Sequence, residues 1–212
     1  MTATIPLDLD GYTDLPPGHI ANVVTYLEMK DRPAPAAADL ASAAGRSVRH
    51  VEKPDLDAYR DLYRRIGTDW LWFSRAVMSD DELRALLAKP TTEIHFLEQD
   101  GVPIGLAELH RGEGGPANVE ISMFGVVPEA TGTGAARQLM QAALAAAWEG
   151  GTERVWLHTC SFDHPAALRF YRRSGFTPFK FAIEVSTDPR LDGHLPRTAG
   201  PHVALIDPDA AG

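Results

Sequence analysis

The spacing of hydrophobic residues predicts four helices in this chain. Over residues 56–66 and 136–148, apolar side chains recur every three or four positions, which is the period of an α-helix. Residues 79–82, Ser-Asp-Asp-Glu, form a capping box, and this motif starts a helix that ends before Pro90. A short helix over residues 165–175 begins with a proline in its first turn and stops at a glycine.

Runs rich in β-branched and aromatic residues predict the strands. These runs cover residues 20–29, 47–53, 92–98, 102–110, 118–127, 154–160 and 178–186. The pair Asp100-Gly101 joins two of them as a tight hairpin, because this dipeptide favours positive φ. Residues 118–127, the following helix and residues 154–160 form a strand-helix-strand unit, which is right-handed and makes a parallel pair. We therefore predict an α+β domain with a mixed, mostly antiparallel sheet covered by helices.

A tract rich in proline and alanine, residues 32–45, predicts a linker near the N-terminus. We divide the chain into an N-terminal arm over residues 1–46, which carries the strand at 20–29, a single domain over 47–206 and a tail over 207–212.

The charge of the chain bears on its partners. It has 29 acidic and 20 basic residues, a formal net charge of −9, which disfavours nucleic acid and anionic membrane surfaces. A single cysteine, Cys160, excludes an internal disulfide and a multi-cysteine zinc site, and is typical of a reducing compartment. No apolar run approaches the length of a membrane helix, and no signal-peptide pattern is present. We expect a cytoplasmic protein without a metal, nucleic-acid or membrane partner, and leave a homodimer open.

The strongest chemical signal is a glycine-rich turn between a strand and a helix, residues 126–137. Backbone N–H groups and the positive end of the helix dipole meet there, which favours a phosphate. Gly132 and Gly134 let a pyrophosphate approach the backbone, and Arg137 adds positive charge. An ordinary strand-helix turn has the same pattern, and the turn lacks the GK[ST] of a P-loop and the third glycine of a dinucleotide fingerprint.

The same residues resemble the acyl-CoA loop of the GCN5-related N-acetyltransferase (GNAT) superfamily, [R/Q]xxGx[G/A], which reads TGTGAA over residues 131–136. Residues 163–176 are similar to the superfamily's NxxAxxxYxxxGF segment. Two motifs in this order, separated by one helix and one strand, are far more specific than either alone, and the likeness covers about residues 47–186. Thr131 and His164 depart from the pattern, since the superfamily usually has Gln or Arg and often Asn at these positions.

The resemblance implies a three-layer α/β/α fold with a V-shaped splay between the fourth and fifth core strands. It implies acetyl-CoA as the acyl donor and an amine of a small molecule or peptide as the acceptor. The implied donor contacts are Phe124, Gly125, Val126, Gly132, Thr133, Gly134, Ala135, Ala136, Arg137 and His164. For His164, helix capping is an equal alternative. Trp70, Trp72 and Phe73 are implied as the acceptor wall, with aromatic core packing as the alternative.

Acetylation of an ammonium requires a base, and the leaving thiolate requires an acid. The resemblance implies Tyr171 as the acid and Glu120 as the base, acting through water. Glu108 is a second candidate base, because a loop centred near Gly114 would place it directly opposite Glu120, and facing carboxylates raise one pKa. The alternatives are a core aromatic for Tyr171 and an exposed strand face for the glutamates.

Three functions are compatible with the sequence. The preferred one is an N-acetyltransferase that works by direct attack in a ternary complex. The second is a catalytically silent acyl-CoA-binding or sensor module on the same fold. The third is a hydrolase that uses Cys160 as its nucleophile.

Overall fold

The structure, a computed structural model, describes residues 4–34 and 45–210. Its helices are α1 (Leu56–Gly67), α2 (Asp80–Leu87), α3 (Ala135–Ala147) and α4 (Ala167–Arg173). Its strands are β1 (His19–Met29), β2 (Arg46–His50), β3 (Thr92–Gln99), β4 (Val102–Arg111), β5 (Asn118–Val126), β6 (Arg154–Cys160) and β7 (Thr177–Thr187). The α+β prediction is confirmed. None of the helices in the described ranges is long and apolar enough to cross a bilayer.

The strands form one mixed sheet in the order β2-β3-β4-β5-β6-β1-β7. Its parallel pair is β5 with β6, as the strand-helix-strand unit predicts. The helices cover both faces. Tyr59 of α1 donates a hydrogen bond to Glu108 on one face of β4, and Leu139 of α3 lies against Gly105 on the other. The result is the predicted α/β/α layering.

Local signals at the ends of the elements are confirmed. Ser79 accepts a hydrogen bond from the Glu82 N–H, and the Glu82 carboxylate accepts one from the Ser79 N–H, which completes the capping box of α2. Asp100 and Gly101 both adopt positive φ, 51° and 81°, in the β3-β4 hairpin. These features depend on a few neighbouring residues, which is why the sequence alone reveals them.

The N-terminal strand differs from its predicted place. β1 is an inner strand that pairs antiparallel with both β6 and β7. Leu27 and Met29 are buried in the main core. β1 is therefore part of the domain's sheet and core, whereas the sequence placed it in an arm before the domain. Most of the predicted Pro/Ala linker, residues 35–44, lies outside the described residues.

The sheet opens between β5 and β6. Among the described residues these strands pair over Asn118–Glu120 and Arg154–Trp156. Beyond that point β5 continues to Val126 and β6 to Cys160 without a shared ladder. These strands are the fourth and fifth core strands when β1 is not counted, so the predicted V-shaped splay is present.

Candidate active site

A cavity of about 610 Å³ lies at the splay. The segment after α1, the last residues of β5, the start of α3, the end of β6 and α4 supply most of its wall. Asn22 of β1 and Glu184 of β7 close one side. This position, beyond the carboxyl ends of two parallel strands, is where α/β sheets bind ligands.

The glycine-rich turn has the geometry of a phosphate site. Gly132 and Gly134 have φ of 79° and 86°, and a Cβ at either position would meet no atom within 4 Å among the described residues. α3 begins directly after Gly134 with no side-chain cap, so no side chain at the N-cap satisfies its first N–H groups. Thr131, Gly132 and Ala136 line the cavity. The turn therefore fits a pyrophosphate group.

A second arginine reaches this turn from β2. Arg46 donates to the Thr133 hydroxyl and carbonyl oxygens at 3.3 and 3.2 Å. Arg137 is exposed in the first turn of α3. Sequence reasoning missed Arg46, because only the pairing of β2 with β3 brings it here, and no local motif marks it.

The end of β5 presents a free backbone edge to the cavity. Phe124, Gly125 and Val126 line it, and their β6-facing groups lie beyond the shared ladder in the described chain. A Cβ at Gly125 would lie 2.4 Å from Ile66 Cγ2 and 3.1 Å from Trp72, so only glycine permits this packing. An extended amide chain can add to this edge as a further strand.

Tyr171 is both a packed aromatic and part of the cavity wall. Its ring lies edge-on to Phe124, Phe170 and Phe176, with centroids 5.6 to 6.4 Å away. Its hydroxyl makes no hydrogen bond within the described part of the chain. Burial raises the pKa of Tyr171 above its usual value, and Asp163 adds to this effect. The phenol therefore stays protonated near neutral pH and can donate.

The two candidate glutamates do not face each other. Glu108 pairs with Met123 and Leu109 with Ile121, so Ser122 is an extra residue, a β-bulge, in β5. His110, not Glu108, lies opposite Glu120. The predicted Glu108–Glu120 pair is therefore wrong. The ladder next to the loop is centred at Gly115 rather than Gly114, which places His110 opposite Glu120, and the bulge then moves the partner of Glu108 from Ser122 to Met123.

Glu108 instead forms a buried charge cluster. Its carboxylate accepts from Tyr59 and Arg75 at 2.5 Å each, and His110 Nε2 lies 2.7 Å away. Burial alone would raise its pKa, but the hydrogen bond with His110 and the attraction of Arg75 lower the pKa of Glu108 to about 2. Such a carboxylate is a weak base. Arg75 also donates to the Ser122 hydroxyl at 3.2 Å, so the cluster holds the bulge beside the cavity.

Glu120 differs from Glu108 in its ion pairing and in the direction of its pKa shift. It is buried but not ion-paired to Arg or Lys in the described ranges, and the nearest basic atom recorded is His158 Nε2 at 3.8 Å. Burial raises the pKa of Glu120, with His110 opposing the shift. Ile121, Ser122 and His158 line the cavity, whereas Glu120 is not among the described residues that line it.

Trp70, Trp72 and Phe73 all line the cavity. Trp72 is also fixed by packing, since its ring lies 5.4 Å from that of Tyr63 and its Nε1 donates to Asp163 at 3.2 Å. Trp70 stacks edge-on against His164 at 4.9 Å.

His164 lies in the cavity wall just before α4, whose N-cap is Ala166 and which has no side-chain cap. Its Nδ1 accepts from the Ala166 N–H at 3.0 Å, next to the start of α4, and its ring lines the cavity.

Cys160 has the wrong ionisation for a nucleophile. Burial, with a contribution from Asp163, raises the pKa of its thiol to about 12. The thiolate that a cysteine hydrolase requires is therefore absent at neutral pH. In the described ranges, no group of three or more His, Cys, Asp or Glu side chains could hold a metal ion.

Comparison with known proteins places the chain in a family. Residues 56–176 match the model of the acetyltransferase (GNAT) family, and the chain belongs to that family. It is 36% identical over 104 residues to an uncharacterised N-acetyltransferase of Mycobacterium tuberculosis, which covers 49% of this chain and 65% of the relative. It is 29% identical over 157 residues to a mycothiol acetyltransferase of Arthrobacter sp., covering 73% of this chain and 42% of the relative. The chain thus spans less than two thirds of either relative.

Solved structures share the fold. A GCN5-related N-acetyltransferase of Sphaerobacter thermophilus superposes with a TM-score of 0.58 at 17% identity, over 80% of this chain and 53% of that one. An aminoglycoside acetyltransferase from an uncultured soil metagenomic sample superposes with a TM-score of 0.54, also at 17% identity, over 63% of this chain and 89% of that one.

Proposed function

We propose that this protein is an N-acetyltransferase that moves an acetyl group from acetyl-CoA to a primary amine by direct attack in a ternary complex. One observation carries this proposal: a single cavity joins the phosphate-binding turn, the free edge of β5, the Tyr171 ring and the aromatic wall. The turn holds the pyrophosphate, the β5 edge holds the pantetheine amides, and Trp70, Trp72 and Phe73 surround the acceptor.

The proposed reaction forms an N–C bond to the acetyl carbonyl carbon and breaks the C–S bond of the thioester. Glu120 receives the amine proton through a water molecule, since its neighbours Ile121 and Ser122 line the cavity whereas Glu120 does not. Tyr171 donates its hydroxyl proton to the leaving thiolate. The raised pKa values of Glu120 and Tyr171 suit these roles, because one makes a stronger base and the other a protonated donor.

The donor site predicts a thermal shift. Acetyl-CoA at about 100 times its Kd stabilises the native state by about 2.7 kcal/mol, which raises Tm by about 5–10 °C for a chain of this size. Arg137→Ala removes a charge beside the turn and is expected to reduce the shift. Arg84→Ala on α2 removes an equal charge far from the cavity and leaves the shift intact. Absence of any shift with acetyl-CoA would contradict the donor site.

The assignment of Glu120 as general base predicts how kcat/KM depends on pH. Glu120 accepts a proton only when ionised, so kcat/KM rises as pH increases through its raised pKa. Glu120→Gln removes this acidic limb and lowers kcat/KM by about 10²-fold or more. Glu113→Gln is the matched control. Glu113 raises the pKa of Glu120 through charge repulsion, so its replacement keeps the limb but moves it to lower pH. An unchanged acidic limb in Glu120→Gln would remove Glu120 from the mechanism.

A silent acyl-CoA-binding or sensor module is the alternative, because the same turn and β5 edge would serve it. The two functions differ in turnover. If Glu120→Gln and Tyr171→Phe leave the thermal shift intact and no amine in a broad panel releases CoA thiol from wild-type protein, the sensor is favoured. A cytoplasmic location, the absence of nucleic-acid and membrane partners, and a homodimer stay predictions.

A further inference from the structure

A polar pair lies on the side of the cavity formed by the outer strands. Asn22 of β1 and Glu184 of β7 are register partners, and both line the cavity. Asn22 Nδ2 donates to Glu184 Oε2 at 2.9 Å. This contact fixes the orientation of the amide, because a carboxylate can only accept. The oxygen of Asn22 is thereby left for another partner.

That oxygen has no hydrogen-bond partner in the described part of the chain. Asn22 is 5% exposed, and its buried Oδ1 receives no hydrogen bond from any described residue. A buried acceptor without a donor is destabilising, so native structures rarely keep one unless a ligand or water supplies the donor. Asn22 belongs to the cavity wall, which places this side chain beside the space that a ligand would enter.

The charge of the wall selects the kind of donor. Three carboxyl side chains line the cavity, Asp69, Asp163 and Glu184, and no Lys or Arg among the described residues does. Burial lowers the pKa of His158, the histidine nearest Glu120, so this ring does not offset the negative charge at neutral pH. Asp163 is committed to Trp72, Thr159 and the Cys160 N–H. The oxygens of Asp69, Glu184 and Asn22 therefore offer open acceptors, and of these Glu184 and Asn22 already lie together.

We propose that Asn22 and Glu184 form a subsite for a second cationic nitrogen of the acceptor, distinct from the amine that is acetylated. This inference rests on the proposed function. An ammonium group donates to Asn22 Oδ1 and pairs with the Glu184 carboxylate, while the carbon chain of the acceptor lies along the aromatic wall. The acceptor class is a small diamine or polyamine, because a 610 Å³ cavity that also admits the pantetheine arm has the size of a small-molecule site.

Calorimetry tests the subsite directly. α,ω-Diamines of three to six carbons, and the monoamines of equal length, are titrated into protein saturated with CoA. We expect the best diamine to bind wild type about tenfold or more tightly than its matched monoamine. This difference corresponds to the contribution of one hydrogen bond to a charged group. Glu184→Gln is expected to remove this preference. Glu184 is exposed on an edge strand, so the substitution leaves the packing intact. Glu153→Gln, an exposed carboxyl outside the cavity, keeps the preference.

The outcomes separate the subsite from the proposed function. Selective diamine binding that Glu184→Gln abolishes supports the subsite even if no acetyl transfer follows, and that combination counts against the enzyme. Acetyl transfer with equal affinities for diamines and monoamines overturns the subsite and leaves the enzyme. No diamine binding at all, or an undiminished preference in Glu184→Gln, also overturns the subsite.

Discussion

Replacing Tyr171 with phenylalanine is expected to lower the rate of acetyl transfer by about 10²- to 10⁴-fold, the usual contribution of a general acid. The ring packing against Phe124, Phe170 and Phe176 survives, because only the hydroxyl is lost. That hydroxyl makes no hydrogen bond within the described chain, so stability and acetyl-CoA affinity should change little. Single-turnover kinetics of thiol release measure the rate without interference from product release.

Tyr26→Phe is the matched control. Tyr26 lies on β1 outside the cavity wall, where Trp156 and His158 pack against its ring. The Tyr26→Phe variant also loses one phenolic oxygen, and its single-turnover rate should stay at the wild-type level. If Tyr171→Phe keeps the wild-type rate, Tyr171 is only a packed aromatic residue and not the general acid.

Arg75→Ala is expected to lower the free energy of unfolding by about 3–5 kcal/mol. The substitution leaves the fully buried Glu108 carboxylate without the Arg75 guanidinium. The pair of the exposed Arg49 with the partly buried Glu98 is the comparison. Arg49→Ala is expected to cost about 1 kcal/mol or less, because solvent screens that pair. Urea unfolding at neutral pH measures both, and equal losses in the two variants would contradict the account of the buried cluster.

The same cluster predicts acid sensitivity. The folded pKa of Glu108, about 2, lies below its unfolded value of about 4.3. Its contribution is therefore present above the unfolded pKa and is lost as pH falls from about 4.3 toward 2. Glu108→Gln is less stable at neutral pH but should lose stability less steeply than wild type over this window. Parallel stability profiles would refute this linkage.

The features that the sequence predicted correctly depend on local chemistry. The capping box at Ser79, the positive-φ pair Asp100-Gly101 and the uncapped helix after Gly134 are each specified by adjacent residues. The amphipathic period of α3 and the parallel β5-β6 pair follow from the same kind of pattern. Placement of Trp70, Trp72, Phe73 and Tyr171 around one cavity needed the family resemblance as well.

The features that the sequence did not reveal depend on contacts between distant segments. The extra residue at Ser122 shifts the register by one position, and no pattern within β5 signals it. Arg75, in a loop, reaches Glu108 only after α1 packs on the sheet. Asn22 meets the cavity because β1 inserts between β6 and β7, a strand order that connection length alone does not specify.

The insertion of β1 also bears on how the chain folds. Val24 pairs with Cys160 on one side and Ala182 on the other, so the first strand of the chain closes very long loops. The hairpins of β3, β4 and β5 connect near neighbours and can form early, whereas β1 has neither partner until the last two strands have left the ribosome. We therefore expect a slow final step, during which the unpaired edges of β1 and β6 are the segments most open to aggregation.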